Sequence, residues 1–270
     1  MTDDTTLLDR GQGTLAVDVT GHGPLILAIP GMGELRDSFR HLTPGLVAAG
    51  CRLATMDLRG HGDSSLGFDS YDDEAAASDA LAVIDALGGA PATIIGNSMG
   101  AGAAVIAAAR APDAVDRIVL IGPFVRDSGS VLSRLLLRLA LVRPWGPAIW
   151  QRYYTSLFAT DGPSDQADHA DAVQRSLRRP GRWTAFQRTA RTSHAAAEAA
   201  LPHVRAGALV IMGERDPDFP DPAAEATWVA NALQAQRVMV ADAGHYPMAE
   251  QPAEVLAAIL PFLSQPSQRG

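Results

Sequence analysis

The chain has 270 residues, 47% of them apolar, one cysteine (Cys51) and a formal net charge of −8. That length allows one large domain or two small ones, and the apolar share suffices for a sizeable core. A single cysteine excludes an internal disulfide and a cysteine-rich metal site, and the acidic balance argues against a general nucleic-acid binder.

No uninterrupted apolar run reaches the roughly 18–20 residues that span a bilayer. The opening stretch "MTDDTTLLDR" is polar and acidic, unlike a basic region followed by an apolar one. The expectation is a cytoplasmic protein with no membrane partner. Lysine is absent, which removes Schiff-base chemistry, and all 22 basic residues are arginine. Eleven of them fall between positions 124 and 200, against six acids, so that segment is net positive in an acidic chain.

In chain order, "TLAVDV" (14–19) reads as a strand and "GHGP" (21–24) as a turn. "LILAIP" (25–30) is a short, fully apolar run of the kind found in buried parallel strands. The spacing predicts a helix over 37–49, stopped at Gly50. "RLATMD" (52–57) is a strand, 72–87 a helix, "ATIIG" (92–96) a strand, 99–110 a helix and "RIVLIG" (117–122) a strand. From 124 to 200 the pattern is helical, with no convincing strand. It includes the apolar "VLSRLLLRLALV" (131–142) and much of the aromatic content. Alternation returns with "ALVIMG" (208–213), a helix over 221–233, "RVMVA" (237–241) and a helix over 252–262. Strands alternating with helices predict an α/β fold: a mostly parallel central sheet with helices on both faces. The segment 124–200 reads as an insertion above the carboxyl edge of the sheet, where such sheets bind ligands.

"IIGNSMGA" (94–101) places Ser98 on the turn between a strand and a helix. Strand, G-x-S-x-G and helix together are the context of a nucleophile elbow, in which a strained turn presents the serine hydroxyl above the sheet. A serine hydroxyl needs a base, and the base needs an orienting acid. Of seven histidines, His245 directly follows the last strand in "VMVADAGHYPMAEQP" and is the expected base. His22, His41, His61, His169, His194 and His203 compete less well by position. The loop "GERDPDFP" offers Glu214, Asp216 and Asp218 as the acid. Asp216 is preferred and Asp218 is the fallback.

Five motifs resemble the α/β-hydrolase fold superfamily: "IPGMGELRDSF", "DLRGHGDS" (57–64), "GNSMGA", "GERD" (213–216) and "GHYPMAEQP" (244–252). The resemblance implies a serine hydrolase with Ser98 as nucleophile, Asp216 as acid and His245 as base. It implies a core of 1–123 and 201–270, with 124–200 as a helical lid inserted after the sixth strand. Backbone N–H groups of Met32 and Met99 would form the oxyanion hole, with no metal and no organic cofactor. Pro30 stands where many members carry histidine. "GNSMG" is also similar to hydrolases that cleave C–C bonds in meta-cleavage products, but Tyr246 replaces their usual tryptophan and Ala101 their usual glycine. The expected partner is a small-molecule substrate. A carboxylic ester is the first expectation, and C–C cleavage, perhydrolysis and ligand sensing with little turnover are alternatives. Lid aromatics either wall an apolar pocket or form the lid's own core. A lid arginine facing the pocket would bind an anionic group.

Overall fold

The computed structural model describes residues 5–127, 136, 139–159 and 162–265. Most of the apolar stretch 131–142, including Arg134 and Arg138, lies outside the described residues. Eight strands form one sheet: β1 (Thr6–Asp9), β2 (Thr14–Gly21), β3 (Leu25–Ile29), β4 (Arg52–Met56), β5 (Ala92–Asn97), β6 (Val115–Ile121), β7 (Gly207–Gly213) and β8 (Gln236–Val240). Their order across the sheet is β1-β2-β4-β3-β5-β6-β7-β8. Among the described residues the β1/β2 and β2/β4 pairs are antiparallel and the other pairs are parallel.

Every residue of β3, β5 and β7 is buried, as expected for strands covered on both faces. Alternate residues feed two cores. Leu27, Ile29 and Ile94 pack on one face, and Ile26, Ala28 and Ile95 on the other. The first face is covered by α2 (Asp73–Ala86) and α3 (Met99–Arg110). Asp72 caps α2 by accepting the Ala75 N–H at 2.9 Å. The alanines and glycines of α3 let its residues from Met99 to Ala108 sit buried against the sheet.

Between β6 and β7 lie α4 (Gly146–Ser156), α5 (Gln166–Arg178), α6 (Arg182–Thr189) and α7 (Ala195–Ala200). Trp150, Tyr154, Trp183 and Phe186 from this segment join the second core. After β7 come α8 (Pro222–Leu233), α9 (Pro247–Glu250) and α10 (Pro252–Leu263).

Two local differences from the sequence expectation have physical causes. The helix expected over 37–49 is a 3-10 turn, Arg36–Phe39, followed by α1 (Thr43–Ala48). Pro44 lacks an N–H and fits the start of a helix rather than its interior. The strand β1 was not expected, because four mostly exposed residues carry no apolar alternation.

Candidate active site

Ser98 sits where β5 ends and α3 begins, with φ 55° and ψ −121°. A non-glycine residue in that region stores on the order of 1–3 kcal/mol of strain. Surrounding bonds hold it there. The Ser98 N–H donates to Ile121 O at 2.9 Å, and its carbonyl accepts the Phe124 N–H at 3.3 Å. Asn97 Nδ2 donates to Ile121 O (3.1 Å) and to His245 O (3.3 Å), tying the turn to β6 and to the loop after β8. The flanking glycines are required by space. A Cβ on Gly96 would lie 2.2 Å from Gly100 O, and one on Gly100 would lie 2.3 Å from Ile29 O. Serine often caps a helix start through its hydroxyl. Ser98 makes no such cap bond, and the residue lines a cavity of about 190 Å³.

His245 lines the same cavity. Its N–H donates to Leu157 O at 2.8 Å, so the segment between β6 and β7 helps to set its position. Its Nδ1 lies 2.8 Å from Asp216 Oδ2 and 3.5 Å from Asp218 Oδ2. Asp216 Oδ1 accepts the Asp218 N–H at 3.0 Å. Burial of the ring opposes its charge, but the carboxylates of Asp216 and Asp218 prevail and raise the imidazole from 6.5 to about 9. With Nδ1 engaged, Nε2 is the nitrogen left without a hydrogen-bond partner among the described residues. Asp218, the fallback acid, is thus a second carboxylate on the same ring. Its Oδ1 accepts from the Tyr153 hydroxyl.

The loop after β3 brings Met32 to the cavity beside Met99. Neither backbone N–H donates to a carbonyl among the described residues. The loop is pinned on both sides. Gly33 N–H donates to His61 Nε2 at 3.2 Å, while His61 Nδ1 lies 2.9 Å from Arg59 O. That pairing fixes a neutral ring protonated on Nδ1. Burial lowers the imidazole to about 4, aided by Arg182. Asp57 accepts the N–H groups of Arg36 (2.8 Å) and Asp63 (2.9 Å) and pairs with the Arg36 guanidinium. The motif "DLRGHGDS" therefore clamps the loop after β3.

Two buried networks were not legible in the sequence. Glu34 takes the Tyr154 hydroxyl (2.5 Å) and lies 2.9 Å from His169 Nε2. Burial alone would raise its carboxyl, but His169 and Tyr154 bring it below the ordinary value. Asp73, the first residue of α2, lies 2.7 Å from Nδ1 of His194, which also lines the cavity. The partners are 135 and 121 residues apart, so no local pattern signals either pair.

Donor atoms of Asp216, Asp218 and His245 lie within 4.8 Å of one another, a spacing that a metal ion could use. An ion at Nδ1 would displace the proton that the Asp216 contact holds there. His22, His41 and His203 do not line the cavity. No described helix is long and apolar enough to cross a membrane.

A sequence model described as alpha/beta hydrolase fold matches residues 24–252. A 2-hydroxymuconate semialdehyde hydrolase from Pseudomonas sp. (strain CF600) is 28% identical over 97% of this chain and 90% of its own. The sn-1-specific diacylglycerol lipase ABHD11 of Mus musculus is 35% identical, but the match spans only 44% of this chain and 39% of that protein. The solved structure of a thermophilic esterase from Thermogutta terrifontis superposes with a TM-score of 0.78 at 23% identity, covering 96% of each chain, and shows the fold alone.

Proposed function

Because this chain belongs to the alpha/beta hydrolase fold family, a hydrolase of small molecules, we propose that it is a serine hydrolase that cleaves a carboxylic ester through an acyl-enzyme on Ser98. The observation that carries this reading is one cavity lined by both Ser98 and His245, with Asp216 2.8 Å from the far nitrogen of the ring. His245 Nε2 takes the hydroxyl proton as Ser98 Oγ attacks the carbonyl carbon. Asp216 holds the opposite N–H and stabilises the imidazolium that forms. The N–H groups of Met32 and Met99 receive the developing oxyanion, and they need no reorganisation as charge appears. The imidazolium returns its proton to the leaving alcohol. Water, deprotonated by the same nitrogen, then releases the acid and restores the Ser98 hydroxyl.

Residues 124–200 act as a lid in this reading. Trp150, Tyr153 and Leu157 contribute an apolar wall to the cavity, while Tyr154, Trp183 and Phe186 pack in the second core. The test is hydrolysis of p-nitrophenyl acetate by the parent and by Ser98→Ala. Loss of about 10³-fold or more in kcat is expected of a nucleophile; unchanged turnover would refute it.

A second reading, C–C bond hydrolysis, is favoured by the likeness to the 2-hydroxymuconate semialdehyde hydrolase over nearly the whole chain. Decay of the absorbance of 2-hydroxymuconate semialdehyde in the presence of the protein, faster than its ester turnover, would select it.

A further inference from the structure

Four consecutive positions on the loop between α6 and α7 contribute three polar residues to the cavity lining. Arg191, Thr192 and His194 all line it. The Thr192 Oγ1 is buried without a hydrogen-bond partner, and the Arg191 guanidinium has no acceptor among the described residues. Among the described residues His194 has only Nδ1 engaged, by Asp73 at 2.7 Å, and Nε2 has no partner. The negative groups on the same wall are already occupied. Asp127 accepts the Ser193 hydroxyl (2.7 Å) and the His194 N–H (2.8 Å). Asp218 accepts the Tyr153 hydroxyl and faces His245. The cavity thus offers unpaired donors and no unpaired carboxylate among the described residues.

We propose that Arg191, Thr192 and His194 form a carboxylate-binding subsite, so that the substrate attacked by Ser98 carries a free carboxylate besides its reactive carbonyl. The guanidinium fork suits the two oxygens of a carboxylate. The Thr192 hydroxyl lies buried and unpartnered next to Arg191 in the chain, a further donor within the lining segment. His194, held through Nδ1 by Asp73, meets the ligand at Nε2. Asp73 is almost fully buried behind that ring, and it holds the imidazole in the orientation the contact needs. A phosphate dianion fits less well, because it would add a second charge close to Asp127 and Asp218. The proposal rests on the reading of Ser98 as nucleophile, and its test separates the two.

The probes are p-nitrophenyl butyrate and mono-p-nitrophenyl glutarate, which match in reacting group and differ in a terminal carboxylate. The readout is the ratio of their kcat/KM values. The parent should favour the glutarate ester by roughly tenfold or more, the worth of a charge-assisted hydrogen bond. Arg191→Gln and His194→Gln should each reduce that ratio by roughly tenfold, through KM rather than kcat, and Arg191→Lys should restore part of it. A merely structural role would depress both esters alike and leave the ratio unchanged, which would overturn the subsite. Binding to Ser98→Ala, followed by quenching of tryptophan fluorescence by the same two esters, reads the subsite without turnover. Tighter binding of the glutarate ester that is lost in Ser98→Ala/Arg191→Gln sustains the subsite even if Ser98 is not the nucleophile. Equal binding of the two esters would refute it.

Discussion

The backbone N–H of Gly33 donates to Nε2 of His61 at 3.2 Å, so a buried neutral imidazole holds the loop that carries Met32. Protonating that ring would remove the acceptor, and burial already keeps its pKa near 4. In the unfolded chain the same histidine titrates near 6.5. Below pH 6.5 the unfolded state therefore binds a proton that the native state refuses. Stability contributed by the neutral ring is present above 6.5 and declines toward pH 4, by about 3 kcal/mol in total.

His61→Gln, which keeps a donor and an acceptor but does not titrate, should flatten that acid limb. Urea unfolding of the parent and the variant between pH 4 and 7.5 measures it. Parallel pH dependences would contradict the assignment of a neutral His61.

The pH profile of turnover should report His245. As a base it works only when neutral, and Asp216 and Asp218 raise its pKa to about 9. The kcat/KM of a non-ionising ester should therefore climb with pH through an ionisation well above the ordinary 6.5. Asp218→Asn removes one of the two carboxylates and should move that ionisation toward lower pH. An unshifted profile would show that Asp218 does not act on the ring.

The packing of the turn makes Gly100 intolerant of a side chain. Its Cβ would lie 2.3 Å from Ile29 O and 2.9 Å from Pro30 O, and both are backbone atoms that carry the loop toward Met32. Gly100→Ala should cost about 3 kcal/mol, the upper part of the range for overpacking, and should lower kcat more than it changes KM. Thermal unfolding and steady-state kinetics check the two halves. A variant of parent stability and parent kcat would contradict the close approach.

Glu34 and His169 form a buried contact at 2.9 Å that joins the loop after β3 to α5. Removing one member should destabilise by about 3 kcal/mol, since the other is left buried without its partner. Glu34→Gln and His169→Gln should each show this by chemical denaturation. The double variant should lose less than the sum. Additive losses would mean the two side chains do not interact.

The strand and helix order from β2 onward was legible because β3, β5 and β7 are short apolar runs bounded by turns. β1 was not, since Thr6–Asp9 is mostly exposed and gains its pairing only from β2. Ser98, Asp216 and His245 are candidates in the sequence because each follows a strand, and the structure sets His245 against Asp216 at 2.8 Å. The supporting groups were hidden. His61 sits in the motif "DLRGHGDS", and nothing in that pattern indicates that it accepts the Gly33 N–H. In the sequence Asp73 falls within the helix expected over 72–87, and His194 is one of two histidines in the helical segment 124–200. Only the packing of α2 against the segment after α6 brings them together.

The nucleophile assignment is tested most directly by treating the protein with a fluorophosphonate and mapping the adduct by mass spectrometry of its peptides. One equivalent attached to Ser98, lost on denaturation before treatment and in His245→Ala, is the predicted result. No adduct on Ser98 in the folded protein, or labelling that persists after His245 is removed, would contradict an alcohol made reactive by that imidazole.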